Sequence, residues 1–360
     1  MDWRGWLIQC SKAYQIHMKL CNAGILFLLL CHPALYLPAQ EISSAELASS
    51  VARGSCCLVW YNVENLFYPD DDSTAGDDEF TPQGLRHWIW SRYRDKLTAL
   101  AKVIIATGRG DAPELVALCE VENALVLEEL CSHPILAPYH YSYLHRESHD
   151  HRGMDVACLI RLGCFESVTW ETLPFTLPVS ETRDLMHISL DWGADTLDLF
   201  LVHLLSKYGG AGATAFLRSC QTGQLVQFMD SVYAVRQRGL IMTAGDFNET
   251  YEGYAMEAMR SARFGSDSLS VLLPENGPGT YKYRGRWSPI DQVLVLQSLA
   301  QGSVRVSTLQ LPALLTEDMQ FGGIKPRRTY EGFQYAGGVS DHLPLVIDLT
   351  PSFFSVPGEQ

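Results

Sequence analysis

Short apolar runs recur along the chain from about residue 57 and are separated by polar or turn-forming segments. The runs are rich in Val, Leu and Ile and are only a few residues long, which is typical of β-strands rather than helices. We therefore predict eight strands, in CLVWY (57–61), ELVALC (114–119), DVACLI (155–160), MHISLDW (186–192), LDLFLVHL (197–204), LIMTA (240–244), QVLVL (292–296) and LPLVIDL (343–349).

Two longer segments, 88–107 and 216–236, show helical spacing instead. In the first, Leu97, Leu100 and Ile104 recur at the three- and four-residue intervals of one helix face. Strands outnumber helices and do not alternate with them, which favours an α+β sandwich with much antiparallel pairing over a doubly wound parallel fold. No repeat or linker interrupts the pattern, so we predict a single domain over residues 51–350.

The first 40 residues have the pattern of an export signal. Met18-Lys19 precede the apolar run AGILFLLLC (23–31), and a small-residue exit follows near Ala39-Gln40. The run is too short to span a membrane comfortably. Met18 is an alternative start, and a lipid anchor at Cys31 is disfavoured because leucines precede it. We expect an exported protein that is periplasmic, secreted or surface-associated.

The composition of the chain argues against some classes of function. The formal net charge of −14 argues against a protein that coats nucleic acid through a basic face. It leaves open an enzyme that meets a phosphodiester locally and relies on a metal ion for positive charge. Cys57, Cys119 and Cys158 lie within apolar runs, so we expect buried thiols, and the absence of a CxxC pair disfavours a structural zinc site.

Polar side chains border the predicted strands. Some follow the end of a strand and others open one, and in a mostly antiparallel sheet both kinds of position share an edge. One edge is thus predicted to collect Asn62, Glu120, His203, Asp246, Asn248, Asp291, Asp341 and His342.

This set of side chains has a chemical logic. Glu120, Asp246, Asp341 and the amide of Asn62 are hard oxygen ligands, which suit Mg²⁺ or Mn²⁺. The histidines and the further aspartate are available for proton transfer and for binding an anion. Hydrolysis of a phosphate ester requires this combination, with a base that orients water for in-line attack.

The motifs YNVENLF, LCEVEN, RGMDVACLIR, VHLLS, AGDFNET, PIDQVLV and SDHLPLV follow one another from about Leu58 to Leu349. Together they resemble the endonuclease/exonuclease/phosphatase superfamily, which includes DNase I-like nucleases, inositol-phosphate phosphatases and neutral sphingomyelinases. GDFN followed much later by SDH is specific, whereas YNVEN and ExEN are weak individually. The resemblance implies a four-layered α/β/β/α sandwich of two mixed, largely antiparallel sheets.

The resemblance also implies roles for individual residues. The metal site would be formed by Glu120 with Asn62 and Asp341. The catalytic residues would be Asp246, which orients or deprotonates water, Asn248 and His342, which contact the phosphate, Asp291, which orients His342, and His203, which helps the leaving group.

Several of these residues also fit an ordinary structural role. Asp246 and Asn248 alone would read as turn formers, and His203 alone as a core histidine. Arg152 fits either a phosphate contact or a structural pair with Asp155. Trp287 is a candidate wall for the substrate, although YKYRGRW (281–287) also fits an ordinary cross-strand ladder.

These observations predict an exported, divalent-metal-dependent phosphodiesterase of nuclease-like type. Its substrate would be a phosphodiester in nucleic acid or in a small or lipid phosphoester, and we expect a monomer without a stable protein partner. A phosphatase or a sphingomyelinase-like lipid phosphodiesterase is the main alternative, although no exposed apolar hairpin is evident. A non-catalytic binding module and a zinc hydrolase using His203 and His342 are further alternatives.

Overall fold

The computed structural model describes residues 55–70, 76–178, 181–192, 195–207, 210–236, 240–277, 279–297 and 304–350. The predicted export signal over residues 1–40 and Cys31 lie outside the described residues. Within the described part, the strands are β1 (Cys56–Leu66), β2 (Leu115–Val121), β3 (Tyr141–His145), β4 (Asp155–Arg161), β5 (Ser167–Leu173), β6 (Leu185–Trp192), β7 (Asp195–His203), β8 (Leu240–Asp246), β9 (Arg263–Phe264), β10 (Asp267–Leu272), β11 (Tyr281–Tyr283), β12 (Arg286–Ser288), β13 (Asp291–Leu296), β14 (Val304–Thr308), β15 (Leu315–Glu317), β16 (Ile324–Pro326), β17 (Tyr330–Glu331), β18 (Gln334–Tyr335) and β19 (Leu345–Leu349).

The helices of the described part are fewer. They are α1 (Trp90–Thr107), α2 (Ala124–Ser132), α3 (Ala211–Arg236) and α4 (Glu257–Ser261), with short 3₁₀ turns at Asp78–Phe80, Ala137–Tyr139, Tyr254–Met256 and Pro312–Leu314. All eight predicted strands and both predicted helices are confirmed, with shifted ends. Among the described residues, no helix is long and apolar enough to cross a membrane.

Two large sheets form the centre of the fold. The first has the strand order β14-β19-β1-β2-β4-β3, and the second has the order β5-β6-β7-β8-β13-β10-β9. Each contains one parallel pair, β1 with β2 and β7 with β8, and the remaining neighbours are antiparallel. The prediction of two mixed, largely antiparallel sheets is confirmed.

Side chains alternate between two cores along each central strand. In β1, Leu58 and Trp60 face the core between the sheets, whereas Val59 and Tyr61 pack under α1. In β7, Leu199 faces the same central core and Phe200 packs outward with α3 residues such as Leu225. Because successive side chains of a strand point to opposite faces, a strand covered on both faces must be apolar throughout. This explains the continuous apolar runs and gives the four layers α/β/β/α.

The prediction of buried thiols is confirmed for Cys119 and Cys158 but is wrong for Cys57. Cys119 and Cys158 are buried in the core between the sheets, and Cys57 is half-buried. All seven cysteines of the described residues are free thiols.

Candidate active site

The strand register brings the polar strand ends to one edge. His203 at the end of β7 is the register partner of Asp246 at the end of β8, and Asp246 pairs on its other side with Asp291 at the start of β13. In the first sheet, β2 is irregular between Cys119 and Val121, where Glu120 lies. The predicted convergence is thus a consequence of pairing, with parallel ends and antiparallel starts at the same edge.

A cavity of about 910 Å³ opens at this edge. It is lined by eight of the predicted site residues, namely Glu120, Arg152, His203, Asp246, Asn248, Trp287, Asp341 and His342. The other two, Asn62 and Asp291, are buried beneath its floor and are hydrogen-bonded to lining residues.

The backbone beside this cavity is strained. Eight non-glycine residues of the described part have a positive φ, and four of them, Glu64, Asn65, Glu120 and Asn248, line the cavity. Each such residue costs on the order of 1–3 kcal/mol, and strain of this kind clusters at functional sites. At Glu120, with φ of 63°, it turns the carboxylate out of the strand and toward the cavity.

Glu120 has the properties of a metal ligand. Its oxygens accept hydrogen bonds from Asn62 Nδ2 (3.2 Å) and from the backbone N–H of Asn65 (2.8 Å). Burial alone would raise the pKa of this carboxyl, but the positive charges of His203, when its ring is protonated at acid pH, and of Arg152 outweigh burial and lower the pKa to about 2. An oriented, ionised oxygen donor facing a cavity fits Mg²⁺ or Mn²⁺.

Asp246 is held in place by two donors. Asn62 Nδ2 donates to its Oδ2 (3.1 Å), and the backbone N–H of Asn248 donates to its Oδ1 (2.8 Å). Burial and the negative charge of Asp291 raise the pKa of Asp246 from 3.8 to about 7. A carboxylate with this pKa is suited to accept a proton near neutral pH.

In His342 the charged form of the side chain is favoured, whereas in Asp246 the neutral form is favoured. Its Nδ1 donates to Asp291 Oδ2 (2.6 Å), and its Nε2 lies 3.8 Å from Asp246 Oδ2. Burial disfavours the charged ring, but Asp291 and then Asp246 raise the pKa of His342 well above its usual range. His342 is therefore an imidazolium at neutral pH, available to a phosphate oxygen.

His203 is kept neutral. Burial and the charge of Arg183 hold its pKa well below the usual range. Its Nε2 lies 4.0 Å from Glu120 Oε1 and 3.8 Å from Asp246 Oδ2, and its buried Nδ1 has no hydrogen-bond partner. The ring thus faces the carboxylates of Glu120 and Asp246 as a neutral imidazole.

Asp341 has an arginine as its nearest partner. Arg328 Nη2 lies 2.7 Å from Asp341 Oδ2, while Arg328 Nε donates to Glu64 Oε1 (3.1 Å). The second oxygen of Glu64 accepts the backbone N–H of Thr329 (2.7 Å). Glu64 is therefore structural, and the sequence missed Arg328, which joins both carboxylates.

A second set of possible metal ligands lies in the same place. Single ligand atoms of Asp246, Asp291 and His342 lie within 4.8 Å of one another. However, Asp291 accepts hydrogen bonds from Trp60 Nε1 (2.9 Å), from Thr280 Oγ1 and from His342, so both of its oxygens are already used. Asp291 thus fits the role of orienting His342, and Glu120 fits that of a metal ligand.

Arg152 borders the cavity from the loop before β4, and Trp287 borders it from β12. Arg152 Nε lies 3.9 Å from Asp150 Oδ1, whereas Asp155 bonds to His145 Nε2 (3.1 Å), so the alternative pairing of Arg152 with Asp155 is wrong. Trp287 lies in the hairpin formed by β11 and β12. The segment 281–287 is therefore both a cross-strand ladder and a wall of the cavity.

Two further features were missed or only partly read from sequence. Arg183 is buried and lines the cavity, two residues before the start of β6, so the rule that polar residues opening a strand reach this edge would have found it. Gly245 permits the approach of β8 to β7, because a Cβ there would lie 2.4 Å from both Val202 Cγ2 and Val202 O. Phe247 is buried in the outer core, which directs its polar neighbours toward the cavity.

A profile described as the endonuclease/exonuclease/phosphatase family matches residues 57–351. No curated protein sequence matches the chain.

Solved structures share the fold at low sequence identity. The human Nocturnin catalytic domain with bound sulfate has 16% identity and a TM-score of 0.52, covering 87% of this chain and 97% of that one. Truncated TDP2 of Caenorhabditis elegans has 13% identity and a TM-score of 0.51, covering 82% and 97%. SmcL has 14% identity and a TM-score of 0.55, covering 82% and 99%.

Proposed function

This chain belongs to the endonuclease/exonuclease/phosphatase family, and from that premise we propose that it is a divalent-metal-dependent phosphodiesterase of nuclease-like type. The family makes it a phosphoester hydrolase. The observation that carries the finer proposal is the convergence of Glu120, Asp246 and the His342–Asp291 pair at one cavity.

The residues divide the chemistry between them. Asp246, with its pKa raised to about 7, accepts a proton from the attacking water. His342, charged and fixed by Asp291, donates to a phosphate oxygen. Glu120, with Asn62 beside it, would hold Mg²⁺ or Mn²⁺, which supplies positive charge to the phosphate. His203 faces the same carboxylates and is our candidate for assisting the leaving oxygen.

A substrate panel tests this proposal. Plasmid DNA, RNA, bis-p-nitrophenyl phosphate and p-nitrophenyl phosphate should be offered with Mg²⁺, with Mn²⁺ or with EDTA. We expect turnover of diesters that requires the metal. If no phosphoester is hydrolysed under any of these conditions, the proposal is wrong and a binding module becomes the better description.

A lipid phosphodiesterase is a second candidate because of one structural feature. The connection between β15 and β16 exposes Met319 (87%) and Phe321 (49%), so the sequence interpretation that no apolar hairpin is exposed is wrong. Exposed apolar side chains on a hairpin can enter the interface of a bilayer. Hydrolysis of sphingomyelin in vesicles, reduced in Met319→Ser/Phe321→Ser but unchanged on detergent-dispersed lipid, would favour this candidate.

Export is part of the proposal. The apolar run before Ala39 supports it. The mass of the mature protein from a secreting host tests it, since cleavage near Ala39-Gln40 is expected and retention of the first 40 residues would contradict it.

A further inference from the structure

Arg183 is a buried cation with few partners. Its side chain is 4% exposed, and Arg183 Nε forms an ion pair with Asp150 Oδ2 at 3.2 Å but lacks hydrogen-bonding geometry. Within the described residues, neither terminal nitrogen of Arg183 donates a hydrogen bond to the protein. A guanidinium carries five N–H donors, and buried donors are normally satisfied.

The unsatisfied end of Arg183 belongs to the cavity wall. Arg183 lines the cavity together with Arg152, Glu120 and His203. Arg152 and Arg183 share one carboxylate, because Asp150 also accepts the backbone N–H of Arg152 (3.1 Å) and lies 3.9 Å from Arg152 Nε. Two guanidinium groups with one acid between them give the group Arg152–Asp150–Arg183 a net positive charge.

The position of this pair separates it from the proposed phosphate contact at His342. In the second sheet Arg183 lies just before β6, whose neighbour β7 ends at His203, whereas Asp291 begins β13 on the far side of β8. In the first sheet Arg152 lies just before β4, whose neighbour β2 carries Glu120, whereas His342 lies before β19 on the far side of β1. The arginine pair therefore lies on the Glu120–His203 side of the cavity, away from the His342–Asp291 pair.

From this we infer that Arg183 and Arg152, held by Asp150, form an anion subsite beside Glu120 and His203 that binds a second phosphate group of the substrate, next to the one that is cleaved. The inference rests on the proposed function and names its substrate class: a phosphodiester with a neighbouring phosphate, as in an oligonucleotide. A planar guanidinium suits such a group because it donates two parallel hydrogen bonds to phosphate oxygens. The same pair repels a quaternary ammonium, so a choline-bearing headgroup is disfavoured.

The first experiment compares substrates that differ in one phosphate. The dinucleotides TpT, pTpT and TpTp should be offered to the wild-type chain with Mn²⁺. We expect a terminal phosphate on one side to raise kcat/KM about tenfold, the value of one charge-assisted hydrogen bond. In Arg183→Met and in Arg152→Gln, the ratio of kcat/KM with and without that phosphate should fall toward one. Arg305→Gln, an exposed arginine of β14, is the matched control and should keep the wild-type ratio.

For a substrate with a positive charge, we expect neutralising either arginine to have the opposite effect on relative activity. p-Nitrophenyl phosphorylcholine should gain relative to bis-p-nitrophenyl phosphate when Arg183 or Arg152 is neutralised. If the wild-type chain prefers neither pTpT nor TpTp over TpT, the subsite is overturned. It is also overturned if the ratio of kcat/KM with and without the terminal phosphate is unchanged in both variants, since the arginines would then act at the cleaved group or on folding. Arg152 is partly exposed, so its variant provides the test if Arg183→Met does not fold.

Calorimetry with inorganic phosphate in EDTA keeps the subsite separate from the catalytic proposal. We expect the wild-type chain to bind phosphate, and both variants to bind it at least about tenfold more weakly. Binding of equal strength in wild type and variants would overturn the subsite even if diesters are cleaved. Lack of all hydrolysis together with arginine-dependent phosphate binding would instead overturn the proposed function and retain the anion subsite.

Discussion

His342 Nδ1 lies 2.6 Å from Asp291 Oδ2, and this hydrogen bond joins the two sheets. His342 lies just before β19 of the first sheet, and Asp291 begins β13 of the second. The aspartate fixes the ring nitrogen that points to it, so the other nitrogen is left for the cavity.

Asp291→Asn should lower kcat by about 10²-fold or more, the usual range for losing an aligned acid–base group. Because Asp291 raises the pKa of His342, its loss lets the imidazolium lose its proton at a lower pH. The alkaline limb of the pH–rate profile for bis-p-nitrophenyl phosphate should therefore move to lower pH. An alkaline limb at the wild-type position would show that Asp291 does not set the charge of His342.

Asp246→Asn should lower the rate of hydrolysis and raise the stability of the fold. Hydrolysis should fall by about 10²- to 10⁴-fold. The raised pKa of Asp246 means that the fold binds this proton more tightly than the unfolded chain does, so stability falls as pH rises from about 4 to about 7. At pH 8 in EDTA, urea unfolding should show the variant to be more stable by about 1 kcal/mol or more. Equal or lower stability would contradict the buried ionised carboxylate.

Removal of the metal should abolish hydrolysis, and Mg²⁺ or Mn²⁺ should restore it after EDTA. Glu120→Gln keeps the shape of the side chain but removes its charge, so the affinity for Mn²⁺ should fall by about tenfold or more. Calorimetry on the wild-type chain and the variant measures this directly. Restoration by Zn²⁺ alone would instead support a zinc hydrolase.

A histidine outside the cavity should give the fold a pH dependence of its own. Burial opposes the charge of His187, but Asp198 (3.0 Å) and Glu171 (3.3 Å) raise its pKa, and the ring stacks on Phe200. This stabilisation is complete below about pH 6.5 and is lost as pH rises through the raised pKa. His187→Phe should flatten that part of the curve of stability against pH, which thermal melts from pH 6 to 9 will show. An unaltered slope would mean that other groups cause this pH dependence.

Gly245→Ala should destabilise the fold by about 1–3 kcal/mol, because the new methyl group meets Val202 at 2.4 Å. Val202→Ala should not rescue it, since the carbonyl oxygen of Val202 is equally close. Gly223 provides the control: it lies within α3 with open space around it, so Gly223→Ala should stabilise by roughly 0.5–1 kcal/mol. Similar effects of the two alanine substitutions in urea unfolding would contradict the close approach at Gly245.

The strands and the shared edge could be predicted because both depend on local pattern. Apolar runs indicate strands covered on both faces. A polar residue at the end of such a strand therefore lies at the edge of the sheet. Contacts between distant segments could not be predicted. Arg328 lies 13 residues before Asp341 in sequence, and only the packing of the loop before β19 makes them partners. Likewise, nothing in RGMD indicates that Arg152 turns to Asp150 while Asp155 takes His145.

The division of the site between two sheets has a consequence for the newly made chain. The first sheet is built from both ends of the domain, since β19 must return to pair with β1, while the second is built from the middle. Asp341 and His342 follow all the other predicted site residues along the chain, and their places exist only once that return is complete. A chain with this topology assembles the proposed site only when β19 has returned to pair with β1.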